Sequence, residues 1–221
     1  VFLHGEEIRE IEPSLSENII SGQYSKNDGQ VNNRKLMQAL IAANKNAGNK
    51  IIENIEVKDY LVNNKTKKII GIKTGNNETF NADIVINTAG SWSSLISKDL
   101  IPNFNVKPIL GQMVSLQSDK PLLNKVIFAS ILGKGGYIVP RRNNEIILGS
   151  TMEDTGFEKK ITDEGINSIL QKCNEIVPEL KRLKIREKWC GFRPFAPDNL
   201  PIIGKTSIEN LILATAHGRN G

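Results

Sequence analysis

The chain has little of what many kinds of site chemistry require. Cysteine occurs only at Cys173 and Cys190 in 221 residues. Two cysteines are too few for a disulfide scaffold or a Cys-rich zinc site, and they read as reduced, partly buried thiols of a cytoplasmic protein. Histidine also occurs twice, at His4 and His217, far apart and with no carboxylate or nucleophile evidently beside either. Both read as structural, and no metal site is expected. Only 5% of the residues are aromatic, and the basic residues are scattered apart from Lys65-Thr66-Lys67-Lys68 and Arg141-Arg142. Nucleic-acid binding needs a concentrated basic face with stacking aromatics, so it is not expected here. The net charge of +5 fits an anionic cofactor or a small anionic substrate as well. No stretch reaches the ~20 apolar residues of a membrane span. There is no internal repeat, no low-complexity tract and no nucleophile elbow. If the protein is an enzyme, this lack of an acid/base set directs the chemistry to a cofactor.

What is present is enough apolar residue, 39%, to bury a core in one large domain or two small ones. Lys35 to Asn46 predicts a helix, with Leu36, Met37, Leu40 and Ile41 at helical spacing and Gly48 closing it. "NKIIENIEV" predicts a strand, and "YLVNN" and "KIIGIKTG" a hairpin. "ADIVINTAG" reads as a continuous apolar strand covered on both faces, followed by a helix with Ser91 as N-cap. This alternation is α/β logic. From Val106 short strands with turn signals predict an antiparallel sheet, including the hairpin "GGYIVPRRNNEIILGST", with Tyr137 heading its first strand. Thr162 to Ile176 predicts an amphipathic helix with Ile166, Ile169, Leu170, Cys173 and Ile176 on one face. "NLILATAHG" returns to a buried strand. The expected architecture is two interleaved domains with a cleft between them. The N-terminus is neither a signal peptide nor an initiator methionine, and the chain closes on a glycine-bearing turn. A piece cut at both ends is therefore expected.

Four places invite chemistry, and each has a plainer alternative. Gly90 after "NTA" allows close approach of a ligand to backbone at the carboxyl end of a strand, or it is an ordinary strand-to-helix turn. Arg193, in the apolar run "WCGFRPF", can fork two hydrogen bonds onto a carboxylate, or it pairs with Asp198 or Glu187. Tyr137 is a ligand-facing phenol or a core tyrosine. Arg219 and Asn220, between Gly218 and Gly221, form a site turn or a plain loop.

"DGQVNNRKLMQAL", "IIENIEV", "DIVINTAGSWSS", "GGYIVPRRNNEIILGSTME", "WCGFRPFAPDNLPIIG" and "ILATAHGRNG" follow one another across essentially the whole chain. In that order and spacing they resemble the D-amino-acid oxidase-like family of FAD-dependent amine oxidoreductases, and within it the glycine oxidase branch of thiamine biosynthesis. The resemblance implies a mixed α/β fragment of a two-domain enzyme. Residues 28–103 and 199–221 would belong to a Rossmann-like FAD domain, and residues 1–27 and 104–198 to an antiparallel-sheet substrate domain. It implies oxidative deamination of glycine or another small (D-)amino acid by hydride transfer from Cα to flavin N5, with oxygen as acceptor and hydrogen peroxide as product. The rival readings are a D-amino-acid or sarcosine dehydrogenase-like enzyme with another acceptor, and a non-catalytic module binding small carboxylates.

Carried over residue by residue, the resemblance makes Arg193 the grip on the substrate carboxylate and Tyr137 its neighbour. Met152 becomes a pocket wall, and Arg219 stands near the flavin ring. Val57, Ala89, Gly90 and Trp92 fall to the ADP part of FAD, and Gly218, Arg219, Asn220 and Gly221 to the cofactor turn. Arg193, Tyr137 and Arg219 would form the catalytic set. Gly191 stands where related enzymes carry a flavin-linking cysteine, which implies non-covalent FAD and a structural Cys190. The family's N-terminal G-x-G-x-x-G is not in this sequence, so the chain by itself is expected to hold FAD weakly. A small amino acid is the expected partner, with a homo-oligomer left open.

Overall fold

The computed structural model describes residues 1–131 and 134–218, leaving aside the side chains of residues 130, 131, 134 and 135. In chain order the elements are β1 (Phe2–His4), α1 (Gly5–Ile11), β2 (Ser21–Gln23), α2 (Asn33–Asn46), β3 (Val57–Val62), β4 (Ile69–Thr74), β5 (Thr79–Asn81), β6 (Val85–Asn87) and α3 (Ser93–Ser97). Then come β7 (Lys107–Gln117), β8 (Ile127–Ile131), β9 (Lys134–Pro140), β10 (Glu145–Gly149), α4 (Asp163–Ile176), β11 (Lys184–Phe195), β12 (Ile202–Lys205) and β13 (Leu211–Thr215). The fold is mixed α/β. The chain forms two compact units. One holds Val1–Asn33, Leu110–Glu153 and Lys159–Gly191, and the other holds Arg34–Ile109, Asp154–Glu158 and Phe192–Gly221.

The first unit is built on an antiparallel sheet in the order β11-β7-β10-β9-β8. Alternation along each strand sorts its side chains onto two faces. Leu148 sits opposite both Val114 and Ile138, and Ile146 opposite Leu116. These five residues are at most 2% exposed and pack with Ile166, Ile169, Cys173 and Ile176 in one core cluster. Those four residues lie on one face of α4. Thr162 caps that helix by accepting a hydrogen bond from the Gly165 N–H at 3.1 Å, worth about 1 kcal/mol. The expected helix from Thr162 therefore starts one residue later, with Thr162 outside it as the cap. The expected hairpin is β9 and β10, and Asn144 takes φ +60° in its turn.

The second unit carries the sheet β12-β13-β6, in which β13 and β6 run parallel, and the antiparallel sheet β3-β4-β5. Tyr60, Ile69 and Leu211 form its core, joined by Val62, Ile72 and Val85. The hairpin expected around Lys65 is β3–β4. Asn63 Oδ1 accepts the N–H groups of Lys65 and Thr66, and Lys67 takes φ +59°.

Three expectations are corrected here. The strand expected through "NKIIENIEV" starts only at Val57, because Asn54 at φ +60° breaks the extended run and leaves Ile51 and Ile52 exposed. "ADIVINTAG" yields the three-residue β6, whose Ile86 is 55% exposed, so among the described residues the strand is covered on one face only. Ser91 does not cap a helix: Gly90–Trp92 first form a 3-10 turn, Trp92 occupies the cap position of α3, and the Ser91 hydroxyl is buried with no hydrogen-bond partner among the described residues. The helix at Lys35 forms as α2, but its Leu36, Met37 and Leu40 remain exposed.

Candidate active site

In the second unit the carboxyl end of β6 runs into the turn Thr88–Gly90. Val57, Ala89 and Trp92 line one cavity of about 700 Å³ there, with Tyr60, Ile72, Ile86 and Leu95 among its walls. Gly90 takes φ +55°, a conformation that penalises any residue with a Cβ, and among the described residues, its two chain neighbours aside, no heavy atom lies within 4 Å of where that Cβ would stand. The turn therefore has open space above it. Beneath it the groups are buried and hydrogen-bonded. Asn87 Oδ1 accepts the Ala89 N–H at 3.0 Å, and the Thr215 hydroxyl donates to the Gly90 carbonyl at 3.1 Å. Burial raises the Tyr60 phenol above its usual range, partly offset by its hydrogen bonds to Ser97 and Asn87.

Trp92 also joins an aromatic group in the same unit. Its ring lies 5.7 Å from Phe157 and 5.9 Å from Phe192, and the latter two rings are 5.8 Å apart. Phe192 directly precedes Arg193, which is half-buried near the carboxyl end of β11. The N–H of Gly218 donates to the Pro194 carbonyl at 3.0 Å, which brings the beginning of "HGRNG" beside the same segment. Gly218 itself has φ +59°. Arg219, Asn220 and Gly221 lie outside the described residues.

In the first unit Tyr137 is central in β9 rather than at its head, because the strand begins at Lys134. Cross-strand register sets Met113, Gly149, Tyr137 and Phe128 in one row across β7, β10, β9 and β8. Alternation puts this row on the sheet face opposite the Val114–Leu148–Ile138 core. Gly149 has no side chain, so the Tyr137 phenol reaches across it and donates to Met113 Sδ at 2.9 Å. Phe128 stacks on the Tyr137 ring at 5.5 Å. Beyond β10, Met152 is 60% exposed and held between two pinned neighbours. Thr151 Oγ1 accepts the Gln112 N–H at 2.8 Å, and Glu153 accepts the Gln112 side-chain amide at 2.9 Å.

The structure thus gathers Val57, Ala89, Gly90 and Trp92 around one cavity and turn, and places Arg193 and Gly218 in the same unit. Tyr137 and Met152 belong to the other unit. Sequence reasoning missed Met113, Asn87, Thr215, Phe157 and Phe192. A glycine ending the apolar strand "EIILG" is the one trace of the row, since it interrupts an otherwise β-branched and leucine-rich run. Cys190 is half-buried, and Cys173 is fully buried with its thiol pushed up by burial to about 12. Among the described residues no group of three or more His, Cys, Asp or Glu could hold a metal ion, and no helix is long and apolar enough to cross a membrane.

The chain is similar to known proteins along its full length. It is 36% identical over 214 residues to the bifunctional protein ThiO/ThiG of Nostoc sp. strain PCC 7120, which covers 97% of this chain and 32% of that protein. It is 32% identical over 211 residues to the glycine oxidase of Pseudomonas aeruginosa, covering 95% of this chain and 56% of that enzyme. The crystal structure of glycine oxidase from Bacillus cereus ATCC 14579 superposes with a TM-score of 0.91 at 33% identity, over 100% of this chain and 60% of that one. The chain therefore spans between about a third and three fifths of the length of these relatives. A family model described as FAD dependent oxidoreductase matches residues 1–221, and the chain belongs to that family.

Proposed function

We propose that the whole protein to which this chain contributes oxidises the Cα–N bond of glycine or a similar small amino acid, using non-covalent FAD, with oxygen as electron acceptor and hydrogen peroxide as product. The setting would be cytoplasmic and tied to thiamine biosynthesis. The observation that carries this reading is the convergence of Val57, Ala89 and Trp92 on one cavity at the carboxyl end of a parallel strand, where ligands of open α/β sheets dock. The relatives support it through the names glycine oxidase and ThiO/ThiG. Residues 28–103 and 199–221 would serve the cofactor, and residues 1–27 and 104–198 the substrate.

The residues present fit the cofactor. A cavity of about 700 Å³ falls within the size of small-molecule sites, ~300–1,000 Å³. Its apolar walls suit the adenosine part, and the open, positive-φ Gly90 lets backbone approach it closely. Val57, Ala89, Gly90 and Trp92 would hold that part, and Gly218, Arg219, Asn220 and Gly221 the part nearer the ring. FAD, when bound, supplies the hydride acceptor.

The protein's own contribution is binding and orientation. Arg193 pairs with the substrate carboxylate through two parallel N–H donors, which fixes the carboxylate plane as well as its position. Tyr137 would contribute a hydroxyl donor to substrate binding, since a carboxylate is a much stronger acceptor than the Met113 thioether. Met152 would limit the size of the substrate side chain, and Arg219 is proposed as a further polar residue for the substrate. Holding the substrate in one orientation in a site closed to water provides the rate gain, with no acid/base pair required.

The test is turnover of the purified full-length protein with glycine, sarcosine, D-alanine and D-phenylalanine, reading peroxide. Peroxide from the small amines supports the proposal. Turnover with an added dye or quinone and none with oxygen moves the protein to the dehydrogenase-like reading, and a protein without flavin absorbance moves it to a carboxylate-binding module.

A further inference from the structure

The turn Thr88–Gly90 is joined to a buried polar network from two sides. β6 and β13 run parallel, with Asn87 opposite Leu213, so Asn87 ends one strand and Thr215 ends its neighbour. Asn87 and Thr215 are 5% and 1% exposed. Asn87 Oδ1 accepts the Ala89 N–H. Its Nδ2 lies 2.8 Å from Tyr60 Oη, 3.0 Å from Ser97 Oγ and 3.2 Å from the Ser93 carbonyl. Tyr60 and Ser97 bond each other at 2.9 Å. These partners fix which way the Asn87 amide faces, because only its oxygen can accept the Ala89 N–H. Thr215 Oγ1 donates to the Gly90 carbonyl, so its single proton is committed. The Ser93 hydroxyl, 2.8 Å away, must then donate to Thr215. A directed chain runs from Ser93 through Thr215 to Gly90.

Both attachments draw polar atoms of the turn inward. The Ala89 N–H and the Gly90 carbonyl are satisfied from below, while the far side faces open space and the cavity. We infer that Asn87 and Thr215 are positioning residues for the cofactor: they set the height and tilt of the Thr88–Gly90 turn, and Tyr60, Ser93 and Ser97 orient them. The inference rests on the proposed reading of this turn as the neighbour of the ADP part of FAD.

The experiment uses the full-length apoprotein with FAD and, separately, ADP as probes. Thr215→Val keeps the side-chain volume and removes the donor, whereas Thr215→Ser keeps the hydroxyl. Thr215→Val is expected to weaken both FAD and ADP by about fivefold, the size of one neutral hydrogen bond. Thr215→Ser should restore both to within about twofold, and the KM for the amine should not follow the ADP affinity. Asn87→Asp keeps the acceptor for Ala89 but sets a carboxylate against the Ser93 carbonyl, and should weaken ADP further than Thr215→Val. If Thr215→Val lowers the urea midpoint of the apoprotein yet leaves the FAD and ADP affinities unchanged, the network is purely structural and the inference is overturned. If the unmutated protein binds neither probe, the proposed function falls and this inference falls with it. Unaltered FAD binding in both variants removes the inference alone.

Discussion

The Tyr137 hydroxyl donates to Met113 Sδ at 2.9 Å, across a strand position where Gly149 offers no side chain. The register makes this pairing: Gly149 stands opposite both residues on its two neighbouring strands. A Cβ on Gly149 would lie 2.5 Å from the Met113 sulfur and 2.9 Å from the Tyr137 oxygen. The sulfur can swing away, but the phenol is held against Phe128. Gly149→Ala is therefore expected to fold, to lose about 1–3 kcal/mol by overpacking, and to raise the KM for small amines as the phenol shifts. Urea unfolding and steady-state kinetics of the full-length protein check both parts. Unchanged stability and KM would mean the row has slack.

Arg193→Ala should weaken amino-acid substrates and simple carboxylate inhibitors together. Removing one partner of a desolvated charged pair costs ~3–5 kcal/mol, or roughly two to three and a half decades in affinity at ~1.4 kcal/mol per decade. Flavin content should stay normal. Inhibition constants for a simple carboxylate measure this, and unchanged constants would reassign Arg193 to a structural pairing.

A pocket wall at Met152, as proposed, limits the expected size of the substrate. Its neighbours Thr151 and Glu153 are held by Gln112 and by the Leu110–Glu153 bridge, which limits how far the loop can retreat. Glycine, sarcosine or D-alanine should exceed D-phenylalanine in kcat/KM, and Met152→Ala should narrow the gap by about 1–3 kcal/mol. A preference for D-phenylalanine in the unmutated enzyme would remove Met152 from the pocket wall.

Cys173 gives a pH signature in the first unit. Burial lifts its thiol from 9.0 to about 12, with Lys172 opposing slightly. A folded-state pKa above the unfolded one means that the unfolded chain releases its proton first. The contribution is therefore complete below about pH 9 and is lost as pH rises toward 12, at no more than about 1.4 kcal/mol per pH unit. Cys173→Val should flatten the alkaline fall of stability in this window relative to the unmutated protein. Parallel curves would show that the thiol titrates alike folded and unfolded.

Much of the fold was legible because its signals are local. The helical spacing of Ile166, Ile169, Cys173 and Ile176, the alternation in β9 and β10, and the asparagine turns at Asn63 and Asn144 all act within a few residues. The short β6 and the late start of β3 were not legible. Apolar content overstates a strand when a single positive-φ asparagine interrupts it or when one face lacks a cover. Within the candidate site, arginine, tyrosine and glycine stand out by the distinctive runs that hold them. Asn87 and Thr215 do not, since their importance lies in the parallel pairing of β6 with β13, and in the Ser93–Thr215 and Thr215–Gly90 bonds, which span 122 and 125 positions of sequence. Met113 was equally hidden, because its tie to Tyr137 depends on register across a strand that lies between them.

The most direct measurement is anaerobic mixing of the purified full-length protein with glycine while its visible spectrum is recorded. An oxidised flavin spectrum is expected at rest, bleaching when glycine is added and returning when oxygen is admitted, with peroxide formed. A protein that carries flavin whose spectrum is unaffected by glycine, sarcosine and D-alanine, or that carries no flavin at all, would contradict it.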